Sequence, residues 1–525
     1  MNNKTTLSVL SILCLILLNS CNNPAEQLTL RASGYESHIT LEWNPIPAAS
    51  FVVLKSSGFE NMIRIDTVTN TLHHYVDYLG ADEIWAEYQI LALDSTGAVR
   101  AKSQNADAST MTLSDDKMLS MVQRATLRYF WDYAHPVSGM ARERFPGDEH
   151  VVTSGGTGFG IMAILAGIEQ GFISRMAGAE RIHKILTFLE DADRFHGAWP
   201  HWLDGRTGDV IPFSERDDGG DLVETAFLVQ GLLTAREYFS RSNTTETSIR
   251  KKVTRLWESV EWDWYRREPD SPVLYWHWSP QYDWAMNHQV RGWNETMIVY
   301  LLAIASPTHP VPAELYHTGW AGADNYHNPR TRHGYSLYVG TGNGGPLFFT
   351  HYSFLGFDPR ERRDDYANYF EHNRNQTLVN RAYCIENPGG YAEYSPDAWG
   401  LTASYDPGFY AAHAPTPDRD NGTLTPTAAL SSMPYTPDES IAALRHFYTE
   451  YGDILWGEMG FKDAFNPTEN WVSDGYLAID QGPIVIMIEN YRSELLWDEF
   501  MDNNEIQEAL QKIGFREDED SDAGE

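Results

Sequence analysis

LSDDKMLSMVQRATLRYFWDYA, residues 113–134, is where the chain changes character. Ser114 is placed to cap a helix, and Met118, Met121, Val122, Ala125, Tyr129 and Phe130 fall near one helical face. Downstream, the patterns predict further helices over 157–170, 175–192, 221–240, 246–259, 294–305, 346–355, 362–383, 437–450, 481–490 and 492–500. Long loops rich in Gly, Pro and aromatic residues separate them, and strand-like runs are few. About a dozen helices over roughly 400 residues indicate a mainly α fold and suggest an α/α toroid, with inner and outer helices alternating and the loops at one end making a pocket. Periodicity alone does not separate this from an irregular helical bundle.

Upstream, over 27–109, the pattern is that of strands. HITLEWNPIPAASFVVLKSS (38–57) and EIWAEYQILALDSTGAVRAKS (83–103) alternate polar and apolar residues around turn signals, which predicts a small β-sandwich. This segment resembles a fibronectin type III module, mainly through Trp43-Asn44-Pro45 and Tyr88-Gln89-Ile90. A spacer is its simplest role, and sugar binding is the alternative.

At the N-terminus, Lys4 precedes an apolar run, Leu7 to Leu18, that is too short for a stable membrane span. It ends in LNSC (18–21), which resembles a bacterial lipobox. Residues 1–21 are therefore expected to be a lipoprotein signal, with Cys21 lipidated and the protein exported and membrane-anchored, in the periplasm or on the cell surface. Of the three cysteines, Cys14 would be removed and Cys21 acylated, which leaves Cys384 as a free, buried thiol and allows no intrachain disulfide.

The full chain has 525 residues, enough for two domains or one large one, and a net charge of −34. That field repels nucleic acid but does not penalise a neutral partner such as an uncharged polysaccharide. A monomer is expected. The last ten residues, REDEDSDAGE (516–525), read as a solvated, disordered acidic tail.

Three stretches carry chemistry. RDDGGDLVETAFLVQGLL (216–233) sets Asp217, Asp218, Asp221 and Glu224 before an apolar helix. Asp221 and Glu224 have the spacing of a capping box, which accounts for both without catalysis. It accounts less well for Asp217 and for Gly219-Gly220, where a ligand could approach closely. Crowded carboxylates also raise one another's pKa, which can keep one protonated as a general acid. YWHWSPQYDWAMNHQVRGWNET (275–296) interleaves Trp276, Trp278, Trp284 and Trp293 with Asp283, His288, Arg291, Asn294 and Glu295, as a sugar site would: plates for the pyranose faces, polar groups for the hydroxyl rim. HGAWPHW (196–202) is similar. TENWVSDGYLAIDQGPIVIMIENYR (468–492) sets Glu469, Trp471, Asp474 and Asp480 before an apolar helix that ends in Glu489-Asn490-Tyr491-Arg492. Other chemistries fit poorly. TSGGTGFG (153–160) lacks the Lys of a P-loop, no metal-ligand spacing stands out, and there is no G-x-S-x-G elbow.

Long runs, among them VVTSGGTGFGIMAI, IPFSERDDGGDLVETAFLVQGLLTAREYF, YWHWSP, RGWNETMIVYLLAIASPTHPVPAELYHTGW, GPLFFTHYSFLGFDPR, WGLTAS, DAFNPTENW and LAIDQGPIVIMIENYR, resemble glycoside hydrolase family 144, the glucoamylase-like β-1,2-glucanases. The resemblance covers about residues 113–515. It implies an (α/α)6 barrel there, and inverting hydrolysis of β-1,2-glucan without metal or cofactor, either internal or releasing sophorose from a chain end. It implies catalytic roles for Asp217, Asp221, Glu224 and Glu295. Together with the aromatic pattern it puts substrate binding at Trp202, Trp278, His288, Arg291, Trp293, Asn294, Tyr352, Trp399, Glu469, Trp471, Asp480, Glu489 and Tyr491. Inversion needs an acid and a base about 6.5–9.5 Å apart, wider than one helix turn usually sets two carboxyls. The acid is then Glu224 or Glu295, an Asp of the cluster positions or activates water, and a split involving Asp480 stays open. Asp221 and Glu224 are expected both to cap their helix and, with Asp217, to face the sugar. The alternatives are a glycosidase of another glucan linkage, a polysaccharide lyase, which the acid-rich site disfavours, and a non-catalytic glycan-binding lipoprotein.

Overall fold

The computed structural model describes residues 27–58, 61–69 and 72–518. Cys21 and the expected signal segment lie outside the described residues. The chain forms two compact units. The smaller gathers the residues up to Ser33 with Leu41–Tyr75 and Trp85–Ala108; the larger holds Gly34–Thr40, Val76–Ile84 and everything from Ser109 onward.

The strands before Ser109 form two sheets. One orders Leu30–Gly34, His38–Trp43 and His74–Tyr78; the other orders Ile63–Thr69, Ser50–Ser56, Trp85–Leu93 and Val99–Lys102, with Ala106–Ser109 also pairing Trp85–Leu93. Ala86, Tyr88, Ile90 and Ala92 are buried, the alternation of a strand with one face on a core. Within the smaller unit, Trp43 and Phe51 join the sheets, their ring centroids 5.3 Å apart.

The larger unit is predominantly helical, with short antiparallel ladders between helices. Its helices are α1 (Asp115–Trp131), α2 (Ser154–Glu169), α3 (Arg175–Asp191), α4 (Leu222–Tyr238), α5 (Thr244–Glu258), α6 (Met297–Ala305), α7 (Tyr369–Glu386), α8 (Pro426–Leu430), α9 (Pro437–Leu455), α10 (Ala478–Ser493), α11 (Leu495–Met501) and α12 (Asn504–Ile513). Two kinds alternate. α2, α4, α6, α8 and α10 are buried nearly all round, whereas α1, α3, α5 and α9 bury one face. The buried helices pack in the order α8, α10, α2, α4, α6; α1 lies against α2 and α10, and α5 against α4. Glycine sets the closest approach: a Cβ on Gly158 of α2 would sit 2.2 Å from the Phe227 carbonyl of α4, and one on Gly231 would sit 2.2 Å from the Gly158 carbonyl. Among the described residues no helix is long and apolar enough to cross a membrane.

The structure corrects several expected elements. The run 346–355 forms two 3-10 turns, Leu347–Thr350 and Tyr352–Phe354, not a helix; the Thr350 hydroxyl donates to the Leu347 carbonyl and competes with helical bonding. α7 starts at Tyr369, not 362, because the Asn368 side chain accepts the Glu371 N–H, while Arg362–Arg363 pair as a strand with Arg516–Glu517. Residues 516 and 517 are thus ordered, and Arg516 pairs with Asp365 at 2.9 Å; residues 519–525 of the expected tail lie outside the described residues. α8 and α12 were not anticipated. Cys384 is fully buried and free, as expected.

Candidate active site

Short ladders hold the loops that enter the buried helices. Gly220–Asp221 pair with His277–Trp278 before α4, and Tyr476–Leu477 pair with Arg144–Phe145 before α10. The N-terminal ends of α2, α4, α6 and α10 carry, in order, Gly155, Glu224, Glu295 (two residues before α6) and Asp480.

Asp221 caps α4. Its Oδ1 accepts the N–H groups of Val223 and Glu224, each at 2.9 Å. The capping box is only half made, because the Asp221 N–H goes to the Trp199 carbonyl at 3.0 Å. Glu224 instead turns inward, and its Oε2 accepts the Gly155 N–H at 2.8 Å. A Cβ on Gly155 would sit 2.4 Å from that oxygen. Residue 155 lies in the glycine-rich run that looked like a failed phosphate loop, and here it serves a carboxylate.

Two imidazoles interleave with the acids. His201 Nδ1 lies 3.4 Å from Asp221 Oδ2, and its Nε2 lies 4.0 Å from Glu224 Oε1. His277 Nε2 lies 3.3 Å from Asp217 Oδ2 and 3.6 Å from Asp221 Oδ2. A tight turn, with Asp217 N–H on the Ser214 carbonyl at 3.1 Å, presents Asp217.

Burial acts against every charge here, and the neighbours decide the outcome. Burial lowers His201, but Glu224 and Asp221 outweigh it and raise it to about 10. His277 is also raised, burial being outweighed by Asp217 and Asp221. Burial raises Asp221, but the two imidazoles and its backbone bonds hold it below the usual carboxylate range. Glu224 is pushed up to about 7 by burial and by Asp221 and Glu143, against the pull of His201 and the Gly155 N–H. Glu295 is pushed up to about 7 by burial, with the charge of Glu224 adding to it.

A second carboxyl pair lies at α10. Asp480 and Asp463 are buried close to each other, with the Tyr352 hydroxyl near Asp480, and Asp463 accepts the Tyr405 N–H at 2.7 Å. Burial and the like charge of Asp463 raise Asp480 well above the usual range; burial lifts Asp463 to about 7. Glu143, on the loop between α1 and α2, is near enough for its charge to raise both Glu224 and Asp480.

Asp217, Asp221 and Glu224 therefore converge, with Glu295 nearby and Asp480 linked through Glu143. Trp202 flanks the cluster: its ring meets Phe213 at 4.8 Å and His201 edge-on at 5.7 Å. Tyr352 reaches Asp480. Trp278 follows His277 on the same ladder, and His288 stacks on Trp276 at 4.8 Å.

Other expected binding residues lie elsewhere. Trp293 is in the core, its Nε1 donating to Gln376 at 2.8 Å and its ring stacked on Tyr369. Trp399 is wholly buried. Asn294 is consumed locally, accepting from the Thr296 N–H and hydroxyl, and Arg291 donates to the Gly322 carbonyl. Glu489 is buried at the far end of α10, bonded to Gln123, Gln170 and Ser493. Nine residues of helix put it roughly 14 Å from Asp480 along the axis, and Tyr491, exposed beyond it, shares that end. Glu469 is exposed and Trp471 half-buried, in and beside the Phe465–Asn466 and Trp471–Val472 ladder. The sequence reading missed the roles of His201, His277, Gly155, Glu143 and Asp463. Both histidines alternate with tryptophans in stretches already singled out, so that signal was available; Glu143 and Asp463 carry none.

Among the described residues, one group has the arrangement to hold a metal ion: His201, Asp217 and Asp221, with ligand atoms within 4.8 Å of one another.

Residues 287–504 match the family described as "Putative glucoamylase". The chain is 46% identical over 517 residues to the exo beta-1,2-glucooligosaccharide sophorohydrolase (non-reducing end) of Parabacteroides distasonis, covering 94% of this chain and 71% of that protein. A crystal structure of a beta-1,2-glucanase from Parabacteroides distasonis superposes with a TM-score of 0.90 at 47% identity, covering 93% of this chain and 73% of the other. The endo-beta-1,2-glucanase of Chitinophaga pinensis, in complex with sophorotriose and glucose, gives 0.75 at 54% identity, covering 77% of this chain and 99% of that one. Identity at this level over most of both chains establishes kinship: the protein belongs to the glucoamylase-like glycoside hydrolases of family 144.

Proposed function

We propose that the protein hydrolyses β-1,2-glucan, with inversion at the anomeric carbon. The observation that carries this is the cluster of buried Asp217, Asp221 and Glu224 with half-buried Glu295, in a chain related over 94% of its length to a β-1,2-glucooligosaccharide sophorohydrolase. Glu224 and Glu295 are both pushed up to about 7, and the charge of Glu224 helps to raise Glu295, so in the working state one holds a proton and one a charge. His201 and the Gly155 N–H support the charge on Glu224, and among the described residues no imidazole acts on Glu295 in the same way. Glu295 is then the acid that protonates the glycosidic oxygen, and Glu224 the carboxylate that activates water. Asp217 and Asp221 hold His201 and His277 charged and in place, and bind hydroxyls. The Asp463–Asp480 pair, raised by burial and by like charge, keeps a proton that it can donate to the sugar rim.

The alternation of buried and one-faced helices supports an (α/α)6 barrel with the acids at one mouth. A fibronectin type III-like spacer, an anchor on Cys21, export and a monomeric state complete the proposal.

The test is product analysis of the protein lacking residues 1–21 on linear β-1,2-glucan, with β-1,3-glucan, starch and a polyuronate in parallel. A ladder of oligosaccharides indicates internal cleavage, and sophorose alone indicates chain-end cleavage. Inertness toward β-1,2-glucan overturns the proposal.

A further inference from the structure

A solvent-open cavity of about 650 Å³ lies beside the catalytic ladder, lined by His196, Trp264, Trp278 and Trp284 and rimmed by Arg267, Glu268 and Asp283. Its volume is in the range that holds small ligands (about 300–1,000 Å³). Gly220–Asp221 pair with His277–Trp278, Asp221 opposite His277 and Gly220 opposite Trp278. Successive strand residues point to opposite sides. His277 therefore meets the catalytic carboxylates, while Trp278 turns to this cavity, and one thin ladder separates the two.

The lining is built for a flat ligand. Trp264 is 41% exposed, and the His196 ring lies flat on it, centroids 3.7 Å apart and planes 13° apart. Trp278 stands edge-on to both, and Trp284 lies 6.5 Å from Trp264. Three lining residues have left-handed backbone, His196 (φ 51°), Arg267 (φ 68°) and Asp283 (φ 49°), conformations that non-glycine residues hold at a cost. Exposed Trp264 and half-buried Trp278 and Trp284, with a mixed-charge polar rim, suit a neutral pyranose, whose C–H faces stack while its hydroxyls meet the rim. Arg267 disfavours an organic cation, and Glu268 and Asp283 disfavour an anion.

We propose that this cavity is a second glucan-binding site, which holds glucosyl units of the substrate chain away from the bond being cut. This rests on the proposed β-1,2-glucan hydrolysis. The test compares kcat/KM on long β-1,2-glucan with kcat/KM on the shortest oligosaccharide cleaved, for the wild type, Trp264→Ala, Trp264→Phe and Ala285→Trp. Ala285 is an exposed residue of the lining, so a Trp there fills the cavity without touching the core. The long-to-short ratio is expected to fall about tenfold in Trp264→Ala and Ala285→Trp and to be largely kept in Trp264→Phe. An unchanged ratio in both Trp264→Ala and Ala285→Trp, in an enzyme that cleaves β-1,2-glucan, overturns this site and leaves the functional proposal standing. A wild type that does not cleave β-1,2-glucan overturns both.

Discussion

Glu224 and Glu295 differ in their neighbours, and that difference underlies the roles proposed for them. A general acid must hold its proton, so kcat/KM on β-1,2-glucan should fall as pH rises through about 7, where both groups titrate. Glu295→Gln and Glu224→Gln should each lower turnover, by about 10²–10⁴-fold if only proton transfer is lost. A non-catalytic glycan binder would be indifferent to either change. Gly155 acts through Glu224. Gly155→Ala puts a methyl group where Glu224 Oε2 now lies, so the carboxylate must move and lose its N–H donor. That donor favours the charged form, so its loss should raise the Glu224 pKa and shift the acidic limb of the pH profile upward, alongside a drop in kcat of roughly one to two orders of magnitude. A change in unfolding temperature with an unmoved pH profile would mean that Gly155 only packs.

At the level of elements, the sequence showed the helices that bury one face and missed what depends on contacts distant in sequence. α1 was legible because its apolar residues recur at helical spacing behind Ser114, whose side chain does accept the Lys117 N–H. The start of α2 was not, because Gly155, Gly156 and Gly158 disfavour helix locally, yet Gly158 is required by α4, Gly155 by Glu224 and Gly156 by the α10 residue Ala478. The acids of 216–224 were legible as a cluster; the turning of Glu224 out of its capping box was not, since the donor comes from another helix. Trp293 and Trp399 matched a sugar site in composition, yet packing partners far along the chain claim them. The pair on α10 gives a stability test. Asp463 titrates near 7 when folded and near 3.8 when unfolded, so between those values the folded state holds a proton that the unfolded state lacks. The contribution of Asp463 to stability should therefore decrease as pH rises from about 4 through 7, with Asp480, Glu224 and Glu295 acting in the same direction and buried His38, His135, His351 and His372, whose pKa burial lowers, acting in the opposite one. Asp463→Asn keeps an acceptor for the Tyr405 N–H and removes one titrating group. Relative to the wild type, its unfolding temperature should gain as pH rises across this window, and parallel curves would show that Asp463 does not titrate there.

Across the whole molecule, the charge of −34 bears on what can reach the site. A field of that size attracts cations and repels polyanions over about 8 Å at physiological ionic strength, and the effect shrinks as salt is added. A neutral glucan carries no charge for the field to act on. Its recognition rests on aromatic faces and hydrogen bonds formed inside the site, which salt screens little. kcat/KM on β-1,2-glucan should therefore stay within about twofold when sodium chloride is raised from 20 mM to 500 mM at fixed pH, because no long-range charge term enters the encounter. A polyuronate substrate would behave in the opposite way, gaining strongly with salt as its repulsion is screened. A tenfold or larger rise in kcat/KM with salt would thus point to an anionic natural substrate, against the assignment of a neutral glucan; a flat response sets the acidic surface apart from the chemistry and leaves the buried carboxyls as the charges that matter for turnover.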